Sequence, residues 1–121
     1  MSPLFRLATC PKADYNNSYL KQKRVTIMYI ADLHIHSRYS RATSKDLTPE
    51  QLDYWAGRKG IQILGTGDFT HPAWRQELEE KLEPAEDGLY VLKEEYRIKD
   101  ETAGASAAPR FVITGEISSI Y

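Results

Sequence analysis

Apolar and polar positions alternate, then recur at helical spacing, and then alternate again along the chain. Residues 25–34, with Val25, Ile27, Tyr29 and Ile30, are dense in β-branched and aromatic side chains and predict a buried strand. A polar turn over residues 37–46 follows. Thr48, Pro49 and Gln51 then predict a helix start. The threonine caps, the proline fits the first helical position, and the glutamine stands where a capping box needs it. Leu52, Trp55 and Ala56 fall on one face of that helix, and Gly60 stops it. Residues 61–68 predict a second strand ending in a glycine-punctuated turn. Pro72 opens a second helix in which Trp74, Leu78 and Leu82 recur at four-residue intervals. Over residues 88–98, Tyr90, Leu92, Tyr96 and Ile98 share one parity and predict a hairpin strand outside the main repeat. Residues 100–109 are small and polar and predict a mobile loop. Residues 110–116 form the last strand. Strand, helix, strand, helix, strand is the pattern of a parallel α/β sheet or barrel.

Composition changes this picture little. The chain has 121 residues, enough for one domain, with 41% hydrophobic and 27% charged positions as in ordinary globular proteins. A formal net charge of −1 gives no global field toward nucleic acid or an anionic membrane, although a local basic patch stays open. Cys10 is the one cysteine, so no intramolecular disulfide is expected, in keeping with a reducing, cytoplasmic setting. No apolar run approaches the roughly 20 residues that span a bilayer, and no secretory core is visible, so no membrane association is expected. Residues 1–27 carry Pro3, Pro11, Asn16 and Asn17 and end in a basic run from Lys21 to Arg24, without a sustained period. They read as a flexible tail ahead of a domain over residues 28–121. Translation from Met28, directly before the first strand, is the other reading.

Side chains alternate across a strand, so Asp32, His34 and His36 point one way while Leu33 and Ile35 point the other. Three groups able to bind metal at the end of an apolar strand are expensive to bury unless a cation pairs with them. Two imidazoles two residues apart reach one ion, or two ions of a cluster. Hydrogen bonding alone would satisfy a lone histidine, but this triplet at a strand end, with all three histidines of the chain there or at the next strand's end, favours the metal. The second strand ends at Asp68, where a ligand or a turn and N-cap residue are both expected types; His71 follows. The third ends at Glu116, which shares parity with Val112 and Thr114. Three successive strands thus end in metal-ligand types at the rim where α/β folds place their sites.

These residues resemble a known family. Asp32, His34, His36 and Ser37 on the first strand, Asp68 ending the second, and Gly115-Glu116 ending the third are similar to the polymerase-and-histidinol-phosphatase (PHP) superfamily. The longer strings, from His34 through Ser37, Arg38, Tyr39 and Arg41 to Ser44, from Gly65 to Pro72, and from Ile113 to Ser118, most resemble its endonuclease Q branch, which cuts DNA beside deaminated bases such as uracil and hypoxanthine. The resemblance implies His34 and His36 as metal ligands, Glu116 as a bridging carboxylate, and Asp68 as the second-motif aspartate. It implies catalytic work for Asp32, Asp68 and Glu116. Phe69 stands where many members have histidine, so His71 is the natural substitute ligand, with helix capping as its alternative role; Thr43 stands near a common acidic position. Arg38, Arg41 and Lys45 could neutralise substrate phosphates, or form an ordinary solvated loop.

The implied cofactor is two or three divalent ions, zinc or manganese first, iron or magnesium next. They would activate water and clamp phosphoryl oxygens. The implied fold is the N-terminal part of a distorted (β/α)7 barrel, with about three of its parallel strands and the later ligands absent. The expectation is therefore a fragment whose partner is the rest of the barrel and whose substrate, in the complete enzyme, is DNA. A small-molecule phosphate monoesterase and a catalytically inert metal-binding remnant are the alternatives. An in-frame continuation of the coding DNA beyond codon 121, carrying the missing histidine and aspartate ligands, is the observation that checks this; a stop with no such continuation contradicts it.

Overall fold

A computed structural model of the chain describes residues 26–101 and 107–120. Of the expected flexible tail, only Thr26 and Ile27 fall within it, exposed and without regular structure; residues 1–25 lie outside the described residues. So do residues 102–106 of the expected loop.

The first helix forms where its caps predict. Helix α1 spans Pro49–Lys59, after β1 (Ala31–Asp32), and the Thr48 hydroxyl accepts from the Gln51 amide at its start. Gly60 closes it in the left-handed conformation, φ 74°, which costs glycine nothing. The buried face is centred on Pro49, Asp53 and Ala56, spaced by four and then three residues. Leu52 packs against the core from its flank, but Trp55, expected beside them, lies outside that stripe and is 51% exposed. Strand β2 is Ile63–Gly65, and α2, Pro72–Lys81, passes directly into β3, Leu82–Pro84. Trp74, Leu78 and Leu82 are all buried, as their spacing predicts, although Leu82 already belongs to the strand.

Strand β4, Tyr90–Leu92, leads through a short 3-10 turn at Glu94–Tyr96 toward β5, Arg110–Val112. The five strands form one mixed sheet in the order β1-β2-β5-β4-β3. Strands β1, β2 and β5 are parallel, as expected. The hairpin is not outside the repeat: β4 pairs antiparallel with β5 through Tyr90 and Phe111, and β3 pairs with β4. It covers the ladder edge that β5 would otherwise leave open. An ion pair of 2.7 Å between Arg110 and Glu86 ties the hairpin turn to β5.

One core lies between both helices and one face of this sheet, built from Ala56, Leu64, Trp74, Leu78, Leu82, Leu92 and Phe111. Leu64 and Phe111 are partners in register, so they stand side by side on that face. The first strand departs from expectation. Only Ala31 and Asp32 join the ladder, and Ile27, Met28, Tyr29, Ile30 and Leu33 are exposed rather than buried, Met28 by 80%. The reason is position: among the described residues β1 pairs with β2 alone, so its outer edge and its flanking apolar side chains meet solvent.

A buried polar network joins the two helices to the loop after β1. Glu77, 7% exposed, accepts from Arg38 Nη2 and Lys81 Nζ, both at 2.8 Å, and Lys81 also reaches Glu50. A carboxylate buried this far needs such partners. Burial works against ionisation of Glu50, but the Lys81 ammonium, its own backbone amide and Thr48 outweigh it and hold its carboxyl below the ordinary 4.5. A lowered carboxyl contributes stability above its unfolded value and loses it as pH falls through the folded one. E50Q is thus expected to lose about 1–2 kcal/mol at neutral pH. In urea melts from neutral pH into acid, its difference from wild type should vanish below the carboxylate range; a constant difference would contradict the account.

Candidate metal centre

The carboxyl ends of β1, β2 and β5 meet at one rim, and two glycines let them come this close. A Cβ on Gly65 would stand 2.7 Å from both the Leu33 carbonyl oxygen and Thr114 Oγ1. Gly67, at φ 63°, presses its backbone against the Ile35 carbonyl so closely that a Cβ would overlap it. The turn between them is fastened from inside. The Trp74 indole N–H is shared between the carbonyl oxygens of Thr66 (3.2 Å) and Gly67 (3.0 Å). The last strand stops at Val112, short of the expected Glu116. From the segment after it, Thr114 Oγ1 accepts the Gly67 amide at 2.9 Å, while the Thr114 amide donates to Thr66 Oγ1 at 3.2 Å.

On this frame His34, His36 and Glu116 converge, their ligating atoms all within 4.8 Å of one another. His34 Nε2 lies 3.5 Å from Glu116 Oε2, and His36 Nε2 lies 3.7 Å from the same oxygen. An ion with bonds of about 2.0–2.2 Å at tetrahedral angles holds its ligand atoms roughly 3.3–3.6 Å apart, so both spacings to Glu116 suit a divalent cation with small adjustment. Two nitrogens and one carboxylate oxygen also match the donor count of an open zinc-type site. The His34 and Glu116 side chains are 77% and 64% exposed, so the cluster faces solvent on one side.

Asp68 stands behind His36. Its Oδ2 accepts from the Ser37 amide at 2.7 Å and from Ser37 Oγ at 2.8 Å, and its Oδ1 lies 3.4 Å from His36 Nδ1. Burial disfavours the Asp68 anion, yet the two Ser37 donors and the His36 ring prevail and hold its carboxyl below the ordinary aspartate value. Its backbone is left-handed, φ 46°, which costs a non-glycine residue about 1–3 kcal/mol. Aspartate tolerates this better than most, and hydrogen bonds to a charged acceptor at about 1.5–3 kcal/mol each are enough to hold it.

The remaining expected residues go elsewhere. Asp32 accepts from the His34 amide at 3.3 Å through Oδ1 and lies outside the convergent group. His71 takes its alternative role: it is the N-cap of α2, with Nδ1 accepting from the Trp74 amide at 3.4 Å, and its ring stacks on Tyr39 at 4.5 Å. It borders the site without joining the group, in an open cleft of about 330 Å³ that Asp68, Thr70 and Glu116 also line. Arg38 is not a free phosphate ligand, because the buried Glu77 and the Tyr39 hydroxyl hold its guanidinium. Arg41 and Lys45 are exposed on the same loop. Thr43 closes that loop by donating to the carbonyls of Ser37 and Ser40.

Sequence reasoning missed Ser37, Trp74 and Thr114 as the parts that hold this arrangement. Ser37 carried one signal: a small hydroxyl residue directly after the second histidine, where the strand ends and a carboxylate from the next strand needs donors.

No family model matches the sequence. Over 49 residues, 40% of this chain and 6% of the relative, it is 49% identical to an uncharacterized protein of Methanocaldococcus jannaschii. Among solved structures, its neighbours are endonucleases Q. The lesion-specific endonuclease PfuEndoQ from Pyrococcus furiosus matches with a TM-score of 0.55 and 33% identity over 70% of this chain. Endonuclease Q in complex with a 27-mer duplex substrate with an abasic lesion at the active site matches with a TM-score of 0.55 and 33% identity over 70% of this chain. The chain spans 18% of the length of each of those two structures.

Replacing Trp74 by phenylalanine keeps the ring but removes the donor shared by the Thr66 and Gly67 carbonyls. W74F is expected to lower stability by about 1–3 kcal/mol in urea unfolding. An unchanged midpoint would show that the turn does not depend on this bond.

Proposed function

We propose that this chain carries the first metal-binding segment of a PHP-type phosphodiesterase of the endonuclease Q kind, which cuts DNA at a damaged base. The observation that carries the reading is the convergence of His34, His36 and Glu116 from the segments that follow two parallel strands, with both histidine-to-carboxylate spacings suited to one divalent ion. The likeness to endonucleases Q at 33% identity supports DNA as the substrate of the complete enzyme. Zinc or manganese suits two imidazoles and a carboxylate better than magnesium does.

Such an ion, when bound, supplies Lewis-acid chemistry: it acidifies water and neutralises charge on a phosphoryl group. The chain supplies the rest. His34, His36 and Glu116 would hold the ion, the histidines from the segment after β1 and Glu116 from the segment after β5. The cleft beside them, with Ser40 and Thr70 in its lining, offers hydroxyl groups to phosphate oxygens. Arg41 and Lys45 meet backbone phosphates at the solvent side, where they add affinity without base selectivity.

A second reading is favoured by the exposure of His34 and Glu116 and by the capture of Arg38: the segment holds an ion but hydrolyses nothing by itself. The experiment is hydrolysis by the purified chain with manganese or zinc, using duplexes that contain uracil or an abasic site, and an aryl phosphate alongside. DNA cleavage should fall on H34A by more than the roughly 10–100-fold that follows loss of a ligand's hydrogen-bond partner. Turnover of the aryl phosphate alone would move the substrate to a phosphate monoester. A bound ion with no turnover of either substrate would establish the second reading.

A further inference from the structure

Asp68, like His71, is an expected ligand that the fold does not bring into the convergent group. Its two oxygens have different neighbours. Oδ2 takes both donors of Ser37, a residue with no exposed surface, whose hydroxyl accepts from the Tyr39 amide at 3.2 Å and so directs its own proton to Asp68. Oδ1 is left facing His36 Nδ1 at 3.4 Å, while Nε2 of the same ring faces Glu116 Oε2 at 3.7 Å.

We propose that Asp68 serves His36 rather than the ion: Ser37 clamps one oxygen so that the other holds the His36 proton on Nδ1 and keeps the Nε2 lone pair bare toward His34 and Glu116. A neutral imidazole carries one ring proton, and a carboxylate can only accept, so the contact has one polarity. The proton sits on the nitrogen beside Asp68, and the other nitrogen is the one free to ligate. The left-handed backbone at Gly67 and Asp68 belongs to the same device, since it places the carboxylate between Ser37 and the ring. Asp68 is thereby a positioning residue. Its role rests on the reading of the cluster as a metal centre, but its signature exists without any metal.

Asparagine at position 68 tests this sharply. Its single oxygen must face the two Ser37 donors, which turns the amide NH2 toward His36 Nδ1. That nitrogen then has to accept, and the proton moves to Nε2, where it blocks ligation. In metal-free, 15N-labelled chain, two-bond proton–nitrogen spectra recorded about two units above the usual histidine value near 6.5 report the tautomer. The chain has three histidines, His34, His36 and His71, so H34Q and H71Q assign the signals. Wild type should show His36 as the Nδ1–H form and D68N as the Nε2–H form. Zinc affinity of D68N in competitive titration should fall by about 10–100-fold. S37A, which keeps the backbone donor, should shift the tautomer partway in the same direction. Wild-type His36 in the Nε2–H form would overturn the proposal. So would a D68N tautomer identical to wild type, including one with lost zinc affinity, which would make Asp68 a direct ligand. If D68N does not fold, the wild-type and S37A spectra decide. A chain that binds no zinc yet shows the Nδ1–H form would sink the metal centre and leave the Asp68–His36 contact standing.

Discussion

The indole of Trp74 donates its one proton inside the core to the carbonyl oxygens of Thr66 and Gly67, and the geometry of the rim depends on that bond. The turn it holds has to pass the end of β1 at backbone contact, which a side chain on Gly65 or Gly67 would prevent. Because the ring is fully buried between α2 and the sheet, helix packing and turn conformation are a single event. The hydrophobic residue that anchors α2 is therefore also the residue that puts Asp68 behind His36. Stability and site geometry are not separable here, as expected where strained backbone is stored beside functional groups.

The two sides of β1 differ in character. Toward β2 the strand end is held tightly, with His36 and Ser37 locked against Asp68. Away from β2, among the described residues, the strand has an unpaired edge, and Met28, Tyr29, Ile30 and Leu33 are exposed. The same asymmetry runs through the cluster, where His36 is partly covered while His34 and Glu116 are open. The covered side of the cluster is built from these residues, and its other side faces solvent.

Much of this was legible where the physics is local. Thr48, Pro49 and Gly60 announced α1 through capping, Pro72 announced α2, and the Trp74–Leu78–Leu82 spacing named the buried face of the second helix. The spacing of His34 and His36 and the position of Glu116 led to a group that does converge, although Asp32, of the same parity, stays outside it. What escaped depends on partners far apart in the chain. Nothing near Tyr90 says that β4 pairs with Phe111, so the hairpin's place in the sheet was hidden. Apolar composition over residues 27–33 could not reveal that, among the described residues, β1 has one neighbour only. Arg38 looked like a phosphate ligand because Glu77, thirty-nine residues away, was not yet beside it. Asp53 took a buried place on α1 that its type argues against, through its bond of 3.3 Å with Arg97, and Trp55 was left outside. Asp68 could be read as a ligand or a turn residue from its type and position, while its contacts with Ser37, thirty-one residues away, were not legible.

The central claim is that His34, His36 and Glu116 are the ligands of one divalent ion, and locating an ion tests it most directly. Crystals of the chain soaked in zinc or manganese and measured at that metal's absorption edge would give an anomalous difference peak. The account predicts the peak within bonding distance of His34 Nε2, His36 Nε2 and a Glu116 oxygen, with Asp68 still bonded to Ser37. A strong peak elsewhere, or no peak beside these three residues at saturating metal, would contradict it.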